Sequence, residues 1–368
     1  MQLVKTGRDN LLRPLQMVSG IVERRHTLPI LANILIKKDG HAVSFLSTDT
    51  EIQIQTSAEV GAGDDKAAIT VAARKLVDIL RALPDSSDVS LTLLDRRLTV
   101  QSGKSRFSLQ TLSADDFPTV AEASAYETHV ELPQKALKAL FGMVHFAMAQ
   151  QDIRYYLNGL LLIADGKTLS AVATDGHRLA YCQIETDQTY ERNEVIVPRK
   201  TILELQRLLD DTDDPVHIDI SGNQIKFSFS GIELISKLVE GKFPDYTRVI
   251  PKGYKNHFTI PREQLQRALQ RAAIMTSDKF KGIRCIVETG SLKISSTNTD
   301  QEEAIEELEI DYTGNSIDIG FNVTYLLDIL SNQKSDNIVI ELGDANSSAL
   351  ITVPDNPHFK YVVMPMRI

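Results

Sequence analysis

The chain has 368 residues, enough for two or three domains, and its 42% hydrophobic and 24% charged residues are those of an ordinary globular protein. No apolar run approaches the roughly 20 residues that a membrane helix needs, the start does not read as a signal peptide, and only Cys182 and Cys285 are present, so no membrane span, disulfide framework or cysteine metal site is expected and the chain reads as cytoplasmic. The net charge of −9 argues against a generally DNA-binding surface; a DNA role would require positive charge gathered on one face, or retention by geometry.

The elements recur in the same order along the chain. Leu11, Leu15, Val18 and Val22 predict an amphipathic helix, with Pro14 inside the pattern predicting a late start or a kink. A strand-like stretch follows and ends at the turn Thr48-Asp49-Thr50, where Asp suits because its side chain bonds its own backbone. A second helical pattern begins near Val71 to Lys75, then the alternating strand Leu98 to Ser102, then Phe117-Pro118. After a linker at 119–128 the series restarts with Leu137, Leu140, Val144 and Ala147, the turn Thr174-Asp175-Gly176, a helix that begins near Val197 to Lys200, the strand Ile225 to Phe229, and Phe243-Pro244. After a linker at 251–257 it restarts again with Leu265, Leu269 and Ala272, the turn Thr297-Asn298-Thr299, and a helix that begins near Phe321 to Thr324, in which Leu327-Asp328-Ile329-Leu330 matches Val77-Asp78-Ile79-Leu80.

The spacings agree at about 125 residues, the signature of a tandem repeat. The expectation is an α+β chain of three domains, 1–120, 129–250 and 256–368, each with two helices and antiparallel sheets. Three copies form an arc with unsatisfied ends, which a head-to-tail contact can close into a ring. The first repeat offers Lys75, Lys104, Arg106 and Phe107 with Ile79, Leu83 and Leu109; the third offers Glu302, Glu303, Glu306 and Glu307 with Ile274 and Met275. Basic residues on the helices (Arg74 and Arg81, Lys135 and Lys138, Arg199 and Lys200, Arg267 and Arg271) would make a basic inner wall if the helices line that arc. A catalytic reading rests on Asp175-Gly176-His177, Asp115-Asp116 and Asp210-Asp211, but no metalloprotease, Walker, nucleophile-elbow or paired-cysteine motif accompanies them. A nuclease or nucleotide-handling enzyme on repeated domains is the alternative, and a scaffold without a DNA role a third reading. No catalytic residue, metal or cofactor is expected.

Longer motifs carry a family resemblance: Thr27 to Leu31, Gly103 to Leu109, Gln151 to Gly159, Ala173 to Ala180, Val195 to Lys200, Gly241 to Tyr246 and Tyr361 to Ile368. With these motifs the chain resembles the beta sliding clamps of bacterial DNA polymerase III over its whole length. The resemblance implies three similar domains per chain and a head-to-tail homodimer ring, with helices lining the hole. It implies a processivity factor for DNA replication, loaded by an ATP-driven clamp loader. The implied partners are double-stranded DNA held without sequence preference, the replicative polymerase alpha subunit, the clamp loader, and other polymerases and repair proteins that insert short hydrophobic motifs.

By matching positions, the resemblance implies a partner-peptide pocket of Arg154, Leu157, Thr174, Gly176, His177, Arg178, Leu179, Pro244, Arg248, Val249, Asn322, Tyr325, Ser348, Val362, Met364, Pro365, Met366 and Arg367. Methionine suits a surface that accepts many partners, and Pro365 favours an accessible edge. DNA contacts are implied at Arg24, Arg25, Arg74, Gln151, Tyr155, Tyr156 and Arg199, directed to phosphates because a sliding ring must not read sequence.

Overall fold

A computed structural model describes residues 1–22, 28–277 and 279–367. The six expected helices are present: α1 (Arg8–Val18), α2 (Ala73–Ala82), α3 (Gln134–Val144), α4 (Arg199–Leu208), α5 (Arg262–Ile274) and α6 (Val323–Asn332). Each forms because apolar residues fall on one stripe; α1 buries Leu11, Leu12, Leu15 and Val18, and α5 buries Leu265, Ala268, Leu269 and Ala272. Pro14 does not delay α1, which starts six residues before it; burial of that stripe outweighs the lost backbone bond. Among the described residues, no helix is long and apolar enough to cross a membrane.

Each repeat runs strand, helix, four strands, helix, three strands. In the middle repeat the four strands merge pairwise into the long hairpin Gly159–Thr174 and Arg178–Pro198, whose register shifts around Gly166, a residue at φ 55°. The second linker is shorter than expected, because Asn256 and His257 already pair with Leu342 and Glu341.

The three Thr-Asx turns are built alike. The Asp49 carboxylate accepts the backbone N–H groups of Glu51 and Ile52 (3.0 and 2.8 Å), and the Asp175 carboxylate those of His177 and Arg178 (2.9 and 3.1 Å). The Asn298 side-chain oxygen accepts those of Asp300 and Glu302, both at 3.0 Å. A left-handed residue completes the first two, Thr50 at φ 78° and Gly176 at φ 89°. Glycine fits the second for a further reason: a Cβ there would press on the Arg154 guanidinium at 3.0 Å.

The chain divides into two compact units that cut across the repeats: Met1–Lys135 with Leu203–Leu238, and Ala136–Ile202 with Val239–Ile368. The reason is sheet continuity. In the first unit a twelve-stranded antiparallel sheet runs from Gln2–Gly7 to Thr128–Pro133, and the strand after the first Thr-Asx turn, Ile52–Glu59, pairs with the last strand of the middle repeat, Ile232–Lys237. In the second unit a six-stranded sheet makes the same joint, since Arg178 to Tyr181, after the second turn, pair with Lys360 to Val363 in the last strand of the third repeat. That unit also holds a four-stranded sheet with Glu303–Glu309 at its edge.

Candidate functional site

The second joint builds an apolar site. Leu179 pairs with Val362, and Val362 with Leu350, so three adjacent strands present apolar side chains together. Leu161, Ile163, Val172, Ile196 and Phe243 complete the buried cluster, with Tyr156, Tyr181, Val239, Tyr246 and Ile250 packed on it. The Tyr181 and Tyr246 rings stack at 5.7 Å and 20°, which seats the 243–250 segment against the sheet.

Around this cluster lie polar groups that are already committed. Arg178 is nearly buried, pairs with Asp175 (3.1 Å) and Asp328, and donates to the Phe146 carbonyl (2.8 Å). Its guanidinium lies 4.6 Å from the Tyr325 ring centroid. Burial works against its charge, but Tyr361 and the Asp328 and Asp175 carboxylates outweigh that and raise its pKa above the ordinary value. Arg154 bonds Asp152 through Nε and Nη2 (3.0 and 2.8 Å) and reaches the Asp175 carbonyl. Hydrogen bonds from Arg154 hold the Asp152 carboxyl down at about 2. His177 stacks on Tyr325 (6.4 Å, 17°), and Asn322 caps α6 by accepting the Thr324 N–H. Asp175, raised above as a catalytic candidate, has its carboxylate committed to the turn and to Arg178.

The C-terminal segment leaves the last strand at Val363. The Met364 N–H donates to the His177 carbonyl (2.9 Å) and the Met366 N–H to the Gly320 carbonyl (2.8 Å), while Met364, two residues after Val362 of the cluster, is 48% exposed. Of the expected pocket residues, Leu157, Thr174, Leu179 and Val362 are buried, and Pro244, Arg248 and Val249 lie exposed on the 243–250 segment. Ser348 contributes its carbonyl to the Tyr254 hydroxyl. Met366 and Arg367 line a different cleft, of about 960 Å³, with Phe280, Arg284 and Asp318; Pro365 lies between the two regions. Sequence reasoning missed Phe146, Asp328, Tyr361 and the aromatic members of the cluster. Phe243 and Tyr246 stood inside a quoted motif and Asp328 inside the repeat match; Phe146 carried no signal.

The DNA-facing expectations divide. Arg24 and Arg25 lie outside the described residues. Tyr155 is 76% exposed on the same loop as Gln151, and Arg74 is exposed with no ion-pair partner among the described residues. Tyr156, in contrast, packs on the apolar cluster, and Arg199 is half-buried and donates to the Met148 carbonyl (3.2 Å); burial and the nearby Arg178 charge lower its pKa. On α5, Arg267 pairs with Glu263 and Arg271 grips Glu306 through two bonds (2.8 and 2.6 Å), and Lys135 pairs with Asp213, so these cations are less available than the sequence suggested.

Some of the expected interface residues lie on two open strand edges, and the others on or at the ends of α2 and α5. Ser105–Ser113 pairs with Arg97–Ser102 along Ser105 to Gln110 and has no strand on its other side there among the described residues; it carries Arg106, half-exposed Phe107 and Leu109, with Lys104 just before it. Glu303–Glu309 is likewise open and presents Glu303, Ile305, Glu307 and Glu309 outward, with Glu302 just before it. Alternation turns Glu306 inward to Arg271, and Leu83 is already buried within its own unit, so neither sits on the open surface as expected. Lys75 and Ile274 are exposed, and Ile79 and Met275 partly so.

Family models for the DNA polymerase III beta subunit match in chain order: the N-terminal domain over residues 2–121, the central domain over 131–245 and the C-terminal domain over 247–367. The chain therefore belongs to the DNA polymerase III beta subunit family, and its fold is three tandem clamp domains. It is 45% identical over 362 residues to the beta sliding clamp of Pseudomonas aeruginosa and 43% identical over 361 residues to that of Escherichia coli K12, covering 98% of each chain in both comparisons. A crystal structure of the Pseudomonas aeruginosa sliding clamp bound to griselimycin superposes at a TM-score of 0.95, with 44% identity and full coverage of both chains. The chain is thus a sliding-clamp processivity factor of DNA replication.

Proposed function

We propose that two copies join head to tail into a closed ring that encircles duplex DNA without reading its sequence, and that the apolar site of the second unit receives short hydrophobic motifs. The partners in this reading are the replicative polymerase alpha subunit, the clamp loader, and other polymerases and repair proteins. The domain limits are 1–120, 129–250 and 256–368; the chain works in the cytoplasm and leaves catalysis to its partners.

One observation carries the ring: the strand joint that is made twice within the chain and left half-made at both ends. The strand after a Thr-Asx turn pairs with the last strand of the next repeat at Ile52–Glu59 and again at Arg178 to Tyr181. Among the described residues, the third such strand, Glu303–Glu309, and the last strand of the first repeat, Ser105–Ser113, lack this partner strand. Joining them between copies pairs both edges, sets glutamates against Lys104 and Arg106, and buries Phe107 and Ile305. The motif site rests on its apolar cluster and its exposed Met364.

The test is topological. The protein is loaded onto nicked circular DNA, which is then cut once. Release on cutting is expected; retention on the linear duplex would overturn the ring.

A further inference from the structure

The second helix of every repeat carries an acid at one position: Asp78, Glu204 and Asp328. The register follows from the strand pairs Asn33↔Ala72, Gly159↔Pro198 and Gly282↔Asn322, which make Ala73, Arg199 and Val323 the first helical residues. In the first unit, Glu204 holds Arg207 by bonds from Nε (2.9 Å) and Nη2 (2.8 Å), and Arg207 donates to the carbonyl oxygens of Gln16 (3.3 Å) and Met17 (2.8 Å) at the C-terminal end of α1. Gly20 makes room, since a Cβ there would collide with the Glu204 carboxylate. In the second unit, Asp328 holds Arg178, which donates to the Phe146 carbonyl just past the end of α3. Twice, then, the acid of a second helix fixes an arginine against backbone carbonyl groups at or just past the end of the preceding repeat's first helix, Gln16 and Met17 in one case and Phe146 alone in the other. These carbonyls lie near the negative end of a helix dipole, where intrahelical donors run out.

Among the described residues, no repeat precedes that of Asp78. Its ion-pair partner is Arg81 at 3.9 Å, the register equivalent of Arg207, and the two side chains are 72% and 59% exposed. The corresponding helix end is that of α5. Ser47 and Ser296 donate to the Val18 and Ala272 carbonyls, so Gln16 and Met17 correspond to Gln270 and Arg271, and Gly20 corresponds to Ile274. Ile274 is larger than Gly20, and Asp78 is one methylene shorter than Glu204, so at a joint of the same geometry the shorter acid would leave space for the larger side chain.

From this repetition we infer that Asp78 and Arg81 are the helix-end clasp of the intersubunit joint, with Arg81 donating to the carbonyl oxygens of Gln270 and Arg271 at the end of α5 in a second copy of this chain. This rests on the ring reading and assigns to dimerisation an arginine that helix position alone assigns to the inner wall. The dimer dissociation constant is measured by analytical ultracentrifugation and subunit exchange for the full chain and its variants. Arg81→Ala should weaken the dimer about tenfold or more, because it removes charge-assisted bonds, with the thermal unfolding of the monomer unchanged. Arg81→Lys should recover only part, since an ammonium cannot fork between two carbonyls, and Asp78→Asn should fall between parent and Arg81→Ala. A parent dimer matched in strength by Arg81→Ala overturns the clasp while leaving the ring intact, as does a variant that loosens only the hold on DNA. A parent that stays monomeric at micromolar concentration overturns the ring reading itself.

Discussion

At the first joint the Lys237 N–H donates to the Glu51 carbonyl, and at the second the Met364 N–H donates to the His177 carbonyl, both at 2.9 Å. The backbone is the same and the surface is opposite. Lys237 and Glu51 cover the first joint with an ion pair of 3.0 Å, and the Gln53 side chain accepts the Val120 N–H, tying the following linker down over a small cluster of Leu35, Leu46 and Phe117. At the second joint Leu179 stands where Gln53 does, methionine where Lys237 does, and the cluster has eight buried members. One repeat geometry therefore yields a closed seam or an apolar recess, depending on whether the residues at the turn and at the strand end are polar or apolar.

The sharpest way to break this comparison is to truncate the matched aromatic of each cluster. Phe117→Ala and Phe243→Ala should each cost about 3–5 kcal/mol of stability, read by denaturant unfolding, but only Phe243→Ala should also weaken binding of a hydrophobic motif peptide. Equal peptide loss from both would mean that the recess is not the binding surface. Next in size are the two arginines. Arg178→Ala leaves two partly buried carboxylates without their partner and should cost roughly 3 kcal/mol. Arg207→Ala, at a more exposed site, should cost less, about 1–2 kcal/mol, through the loss of its charge-assisted bonds to two carbonyls. A smaller effect separates binding from folding: Met364→Lys, which imports the residue of the first joint, should leave the unfolding midpoint within about a degree or two and lower peptide affinity in a fluorescence titration. The smallest concerns pH. Because the folded pKa of Asp152 is depressed from 3.8 to about 2, the contribution of its bond to Arg154 is present above pH 3.8 and is lost as pH falls towards 2. A side-chain NMR titration of Asp152 with a midpoint near 3.8 would show that its bond to Arg154 does not form.

The amino-acid sequence by itself determined the three repeats, the six helices and the three Thr-Asx turns. Each helix and turn is written within about a dozen residues, by a 3.6-residue apolar period or by a short side chain bonding its own backbone, and the repeats follow from the recurrence of those local patterns about every 125 residues. The sequence also marked Leu179, Arg178 and Met364 through their motifs. Only the tertiary structure decided which strands meet across the repeats, and with them that Tyr156 packs into the apolar cluster, that Glu306 turns inward to Arg271, that Leu83 is already buried, and that Arg178 rests on Asp328, 150 residues away. Such outcomes depend on pairings between segments far apart in the chain, where the whole fold, and not the local pattern, sets which side chain finds a partner.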